Sequence, residues 1–560
     1  MISDKQGIQE LVEVLAQKGL RYVVICPGSR NAPLTISFDS DKRFECISIA
    51  DERSAAFFAL GIAIQTGFPA AVCCSSGSAV LNFAPAIAEA YYQQVPLLVL
   101  TADRPAEWID QSDGQTMRQQ NVYVNYIKAC FQMEVEKQDV WQTNRITNRA
   151  YNIANALPKG PVHLNIPLSE PLYGKVERKN FSPRIIEHNE PIRQISESQW
   201  ESLSTIWNSA KGKLILCGQM QGSKSVKAAL ETLAELHSVA VLTENTSNLP
   251  SAKFNPCIDR LISGFTELDN ETFRPQLLIT IGNAVVSKKI KSWLRKHKAV
   301  NHWHIGFDPF ESDTYCQLTQ RLEVEPDYFF RELNKLSENI PSNYHSNWKN
   351  RDLKTQMSHE TYLQSCNWSD LKAFQLINEY LPEHSHLHMG NSTPIRYFQL
   401  FNPIPSINYL CNRGLSGVDG CTSTAAGDAF VNGKPTTLVT GDVGFLYDSN
   451  GLWNNRLTEN LRIIVINNGG GGIFRIIPGP DSTEQLEEFF ESHHNYSAEH
   501  IAIAFQLPYY KADGTESLEG ILPAFYGIQP DNRPALLEVF TPRTENSREL
   551  MNYFEYLKTN

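Results

Sequence analysis

Positive charge, paired cysteines and long apolar runs are all scarce in this chain, and each scarcity closes off a class of function. Its 560 residues carry 50 lysines and arginines against 61 aspartates and glutamates, a formal net charge of -11. A protein of that sign is not a general polyanion binder, so nucleic acid is not an expected partner, although local basic pockets are compatible with it. The eleven cysteines are scattered without the C-x-x-C spacing of a zinc site. Buried free thiols in a reducing compartment are the expectation. No segment approaches about eighteen uninterrupted apolar residues. The opening MISDKQGIQELVEVLAQKGL is charged and helical in pattern, without the apolar core of a signal peptide. A cytoplasmic protein with no stable membrane insertion is expected.

What the chain does have is a globular composition, 42% hydrophobic with 30 prolines and 32 glycines dispersed throughout. Its length exceeds one core of ordinary size and predicts two to four domains. Short apolar runs alternate with longer amphipathic segments. Strands are expected at YVVIC (22–26), AAVCC (70–74) and LLVLT (97–101), with helices over 5–18 and 54–65 and a crossover helix in AVLNFAPAIAEAYYQ. GPVHLNIP at 160–167 closes this region, and a charged, proline-punctuated linker follows to about Gln194. KLILC, VAVLT, LLITIG and WHIG continue the pattern, and the polar stretch SENIPSNYHSNWKNRDLKTQ separates them from HLHMG, TTLVTGD and LRIIVINN. This βαβ grammar predicts three α/β domains with largely parallel central sheets, at 1–180, 195–340 and 355–560. Ligands of such sheets sit beyond the carboxyl ends of the strands.

The sharpest constellation lies at two such ends. Gly441-Asp442 follows TTLVT, and Asn467-Asn468 follows LRIIVI, opening the run INNGGGGIF at 466–474. Asp442 and Asn468 are 26 positions apart, enough for one intervening helix, so neighbouring parallel strands can aim both at one point. A carboxylate, an amide oxygen and a carbonyl from a glycine turn are hard ligands of the kind Mg²⁺ accepts, with phosphate oxygens completing the shell. Alone, Gly441-Asp442 is a turn or a helix N-cap. Four successive glycines give up much backbone entropy and add nothing apolar to a core, which is more than cation binding by itself explains.

GDVGFLYDSNGLWNN…LRIIVINNGGGGIF resembles the diphosphate and Mg²⁺ motif of the thiamine diphosphate enzymes, which begins GDG and closes with NN. Val443 stands where most of that superfamily has glycine. An aliphatic residue there is similar to the MenD branch, the 2-succinyl-5-enolpyruvyl-6-hydroxy-3-cyclohexene-1-carboxylate synthases of menaquinone biosynthesis. CPGSRNAPL (26–34), ADERSAAFFALG (51–61), SSGSAVLNFAPAIAEA (75–90), TADRPAEWIDQSDGQTMRQ (101–119), MGNSTPIR (389–396) and NRGLSGVDGCTSTAAG (412–427) resemble that branch in order along the chain. The resemblance implies a pyrimidine-binding, a central and a diphosphate-binding domain, with Mg²⁺, or Mn²⁺ in its place, held by Asp442, Asn468 and the Gly470 carbonyl. It places Gly390, Gly441, Val443, Gly471 and Ile473 against the cofactor, and Val418 as the prop for its bent shape. It gives Glu52 the hydrogen bond to N1′ of the aminopyrimidine that lets the 4′-nitrogen take the C2 proton; taken alone, Glu52 is an acidic residue welcome in the first turn of a helix.

The same resemblance implies 2-oxoglutarate and isochorismate as substrates. Both are anions, which asks an acidic protein for local cations. Arg30 and Arg104 follow strand ends and are the first candidates. Lys288, Lys289, Arg396 and Arg413 match further basic positions, with Ser29, Gln115 and Ser392 as hydrogen-bonding companions and Ile473 and Phe474 lining the site. Lys288 and Lys289 also read as the first turn of a solvated helix. His163 reads as structural, and His302 and His304 have no third partner for a metal. Because the family builds each site from the first domain of one subunit and the third of its partner, a homodimer or a homotetramer is implied. Another 2-oxoacid decarboxylase or carboligase of the superfamily is the alternative on the same cofactor.

Overall fold

A computed structural model describes residues 1–137, 139–178, 181–477, 479–529 and 532–559. The expected region limits at 180 and 560 lie outside the described residues. Three parallel sheets order the chain, and their central strands are buried along their length, as the near-continuous apolar runs require when helices cover both faces.

The first sheet runs 45–48, 22–25, 70–74, 97–103, 162–167, 129–132, and the third runs 408–410, 386–389, 436–441, 461–467, 535–540, 509–512. Numbered within each sheet, both have the strand order 2-1-3-4-6-5. In each, the order reverses beside the first strand, so crevices open at the carboxyl ends of 22–25 and 70–74, and of 386–389 and 436–441. The central sheet has five parallel strands in the order 239–243, 213–217, 277–281, 301–305, 320–322.

The sequence missed the edge strands Glu45–Ser48, Ala129–Gln132, Gln320–Leu322, Asn408–Leu410 and Tyr509–Ala512, which are too short for periodicity to register, and also the buried inner strand Ala535–Phe540. The crossover expected over 79–93 is two helices, Ser78–Asn82 and Ala84–Gln93. Pro85 has no N–H to continue the first into the second. The polar stretch taken as a separator contributes instead to a 22-residue helix, Tyr344–Ser365. Its helical period is hard to see because Tyr344, Trp348 and Leu363 are its few buried large side chains.

One apolar core is shared by the first and third sheets, running from Val72 and Val99 through Phe57 and Phe58 to Ala425, Leu438 and Ile463. Its centre is a close crossing of two helices, Glu52–Thr66 and Cys421–Asn432. A Cβ on Gly61 would lie 2.1 Å from the Thr424 carbonyl oxygen, and one on Gly427 would lie 2.1 Å from that of Phe58. The two backbones can touch only because both positions are glycine. Gly61→Ala is therefore expected to cost about 1–3 kcal/mol by overpacking and to lower the thermal midpoint by several degrees. Gly520→Ala, at an exposed helical position with nothing within 4 Å, should leave the midpoint unchanged or slightly raised. Equal midpoints for the two variants would refute the contact.

Candidate functional site

Strands 436–441 and 461–467 pair in parallel with Gly441 opposite Ile466, so the residues after each strand emerge side by side. Asp442 opens the short helix Asp442–Tyr447 and is 3% exposed. Its Oδ1 accepts the Val443 N–H at 2.7 Å, and its Oδ2 accepts those of Gly469 and Gly470, both at 2.9 Å. Burial pushes its pKa up to about 6, against the pull of those backbone donors. His494 Nε2 lies 3.5 Å from the same oxygen and is buried with no hydrogen-bond partner among the described residues.

The glycine run is explained residue by residue. Gly469 and Gly470 have φ of +78° and +146°, conformations that side chains with a Cβ rarely adopt. A Cβ on Gly470 would also lie 2.6 Å from the Glu491 carbonyl oxygen. The Gly469 carbonyl accepts the His494 N–H, and Gly471 N–H donates to the Glu491 carbonyl. The run is thus clamped between Asp442 on one side and the 491–494 segment on the other. Gly470 turns its carbonyl to accept the Gly472 N–H at 3.0 Å.

A cavity of about 110 Å³ opens over this turn. Asp442, Gly441, Val443, Asn468, Gly470, Gly471, Ile473, Phe474, Ser392 and Val418 all line it. Val418 is 39% exposed, an apolar side chain presented to the cavity. Gly390 sits against Thr440, where a Cβ would lie 2.8 Å from Oγ1. Among the described residues no three His, Cys, Asp or Glu side chains are grouped to hold a metal. A cation here must complete its shell from an amide oxygen, backbone and the oxygens of a bound anion, and those hard donors fit Mg²⁺.

Several residues that sequence reasoning passed over hold this site in shape. Asn391 Nδ2 donates to the carbonyls of Asn412 and Gly417, at 2.7 and 2.8 Å, and its Oδ1 accepts from Arg413 at 3.0 Å. Glu89, buried in the first region, accepts the N–H groups of Gly414 and Leu415, each at 2.7 Å, and burial raises its pKa. Together they anchor the loop that carries Arg413 and Val418. Phe490 packs on Phe474 at 5.9 Å and closes the outer wall. Only their placement in a motif could have signalled Asn391 and Glu89; nothing local in the sequence marks Phe490.

The remaining candidates lie elsewhere. At the carboxyl end of the first sheet, buried Arg30 donates to the Leu168 carbonyl at 2.8 Å and pairs with Glu170 at 3.1 Å. Burial, and after it the neighbouring Arg104, hold its guanidinium below the usual range. Arg104 reaches the Gly114 carbonyl at 3.0 Å and Asp113 at 3.6 Å. Gln115 has φ +57° and packs against Gly77, and Ser29 is exposed beside Arg30. Glu52, half-buried, opens the 52–66 helix within electrostatic reach of the buried Cys26 and Cys74 thiols. Its neighbours Asp51 and Arg53 bind Asn450 and the Tyr447 carbonyl.

The lining of the 110 Å³ cavity falls entirely between residues 391 and 492, so within one chain it takes nothing from the Glu52, Arg30, Arg104 and Gln115 group. Arg396 faces Glu244 and Asp259 in a separate hollow, with no partner for its Nε among the described residues. Lys289 lies over the Phe554 ring at 3.2 Å, and Lys288 is exposed. Arg413 also lines a larger cavity, about 380 Å³, against the central sheet. His163 is buried on Thr101 Oγ1, its pKa lowered to about 3, and Thr280 Oγ1 bridges His302 and His304 at 3.0 Å each.

Comparison with known proteins gives two family matches. Residues 5–125 match the thiamine pyrophosphate enzyme N-terminal TPP-binding domain, and residues 180–389 match the middle domain of thiamine pyrophosphate enzymes. Proteins named 2-succinyl-5-enolpyruvyl-6-hydroxy-3-cyclohexene-1-carboxylate synthase are similar along nearly the whole chain. That of Flavobacterium johnsoniae is 46% identical and that of Flavobacterium psychrophilum 44%, each over 98% of both chains. The Porphyromonas gingivalis protein is 39% identical over 99% of this chain and 98% of its own.

Gly470→Ala combines a forbidden φ with a collision at Glu491, and should weaken Mg²⁺-supported binding of thiamine diphosphate by roughly tenfold or more, by the cost of strained backbone. Calorimetric titration would check this, and wild-type affinity would contradict the clamp described above.

Proposed function

The chain belongs to the 2-succinyl-5-enolpyruvyl-6-hydroxy-3-cyclohexene-1-carboxylate synthase family of thiamine diphosphate enzymes, and from that premise we propose how its residues share the reaction. The enzyme decarboxylates 2-oxoglutarate and joins the remaining four-carbon unit to isochorismate, releasing CO₂. Bound thiamine diphosphate supplies the nucleophilic carbon and the electron sink, and the protein supplies binding, orientation and electrostatics. The observation that carries the residue assignment is the convergence of Asp442 and Asn468 on one cavity over a glycine turn.

In this proposal Asp442, the Asn468 amide oxygen and the Gly470 carbonyl hold Mg²⁺, or Mn²⁺, against the diphosphate. Gly390, Gly441 and Gly471 would let the backbone approach it, Val443 and Ile473 would line it, and Val418 would prop the cofactor in its bent shape. Glu52, half-buried at the start of its helix, would accept or share the hydrogen bond with N1′ of the aminopyrimidine ring. Arg30 and Arg104 take substrate carboxylates. Each guanidinium is now only partly matched by Glu170 and Asp113, and a dianion between them relieves their mutual repulsion. Ser29 and Gln115 add hydrogen bonds. Ser392, Arg396, Arg413, Lys288, Lys289, Ile473 and Phe474 complete the substrate side.

The 110 Å³ cavity takes none of its lining from the first region, which supports a site completed by the first region of a second copy. We therefore assign a homodimer as the smallest competent unit, with a tetramer as a pair of dimers, and the regions 1–180, 195–340 and 355–560 as pyrimidine-binding, central and diphosphate-binding domains. Among the described residues no helix is long and apolar enough to cross a membrane; a cytoplasmic location accords with its anionic, diffusible substrates.

Glu52→Gln should keep measurable cofactor binding while slowing C2 proton exchange by roughly 10²–10⁴, the usual range for a lost proton-transfer partner. NMR-detected deuterium exchange at C2 reads this directly, and an unchanged rate removes Glu52 from the role. With purified protein, thiamine diphosphate, Mg²⁺ and 2-oxoglutarate, CO₂ release should rise when isochorismate is added and be matched by coupled product. Release without coupling would favour a simple decarboxylase.

A further inference from the structure

We propose that Asp370 is a positioning residue of the cation site, deciding which end of the Asn468 carboxamide faces the metal. The inference deepens the assignment of Asp442 and Asn468 as cation ligands and rests on it. A carboxamide has two ends of nearly equal shape, of which only the oxygen can ligate a cation; the amino end presents hydrogens and would repel it. Something must therefore choose the orientation.

The structure supplies that choice. Asn468 Nδ2 donates to Asp370 Oδ2 at 3.1 Å. Asp370 is 1% exposed at the start of the Asp370–Tyr380 helix, which Ser369 caps. Its second oxygen is already committed: Oδ1 accepts from Thr541 Oγ1 at 2.6 Å and from Asn546 Nδ2 at 2.9 Å. Its backbone N–H donates to Asn546 Oδ1 at 2.8 Å. Thr541 N–H in turn binds the Asn467 carbonyl at 3.1 Å, tying the pin to the strand end it serves. With one oxygen held this way, Oδ2 is the acceptor left for Asn468, and the amino group of Asn468 is the end turned inward to it. The amide oxygen is then left for the cavity. Partners of this kind, one shell behind the ligands, typically carry roughly 10–100-fold in metal affinity.

The test reverses the polarity of the pair. In Asp370→Asn, the new amide must keep its oxygen toward Thr541 and Asn546, since both donate to it. Its amino group then faces Asn468 and forces that carboxamide to flip. Mn²⁺ binding in the presence of thiamine diphosphate, followed by the electron paramagnetic resonance signal of free Mn²⁺, should weaken roughly 10–100-fold, with no turnover required. Asp370→Asn combined with Asn468→Asp restores a donor and an acceptor facing each other and returns an oxygen to the cavity, so Mn²⁺ affinity should recover to within about tenfold of wild type. Thermal melting without cation or cofactor establishes that each variant is folded. Should the single variant melt early, the double variant decides, because it keeps every hydrogen bond of the pair. Wild-type Mn²⁺ affinity in Asp370→Asn, or a folded double variant no better than the single, overturns the proposal. Asp442→Ala separates the two levels: if it leaves Mn²⁺ binding intact, the cation-site assignment itself has failed, whereas loss there with no effect of Asp370→Asn sinks the positioning role alone.

Discussion

The buried carboxylate of Asp442 is the constraint on which the third region is arranged. It is almost wholly removed from solvent, and among the described residues no lysine or arginine forms an ion pair with it, so backbone N–H groups satisfy it. To reach one oxygen from two successive residues, the chain at Gly469 and Gly470 must enter positive φ. To fit beneath Glu491, it must also do so without a Cβ. The glycine run is the consequence of hydrogen-bonding a buried carboxylate in a confined place, and the same turn leaves a hollow above it.

That hollow is kept open by contacts reaching well beyond it. Glu89 of the first region fixes the loop that presents Arg413 and Val418. The crossing at Gly61 and Gly427 welds the first and third sheets into one core. A carboxylate at Glu52 and a carboxylate at Asp442 thus stand on a common rigid body, each at the start of a helix following a strand end. Rigid elements hold catalytic geometry better than loops do, and here strand ends position the groups while the glycine turn provides close approach.

Much of this was legible in the chain. Most buried central strands announce themselves because a strand covered on both faces must be apolar throughout, although Ala535–Phe540, broken by Glu538, did not. Short edge strands such as 408–410 were not legible, since pairing with a neighbour, not composition, makes them strands. The 344–365 helix was hidden for a related reason: few apolar residues suffice when a long helix touches the body at only some turns. The roles of Asn391, Glu89 and Asp370 were invisible because their partners lie 21 to 326 positions away, and in isolation each is an ordinary polar residue.

By itself the sequence determined the succession of strands and helices, the glycine turn and the residue types able to hold a cation and a diphosphate, because periodicity, backbone freedom and donor chemistry are local properties. Only the tertiary structure decided which oxygens of those residues are free. Whether an amide presents its oxygen or its hydrogens depends on the donor or acceptor packed behind it. For Asn468 that neighbour is Asp370, 98 positions earlier in the chain.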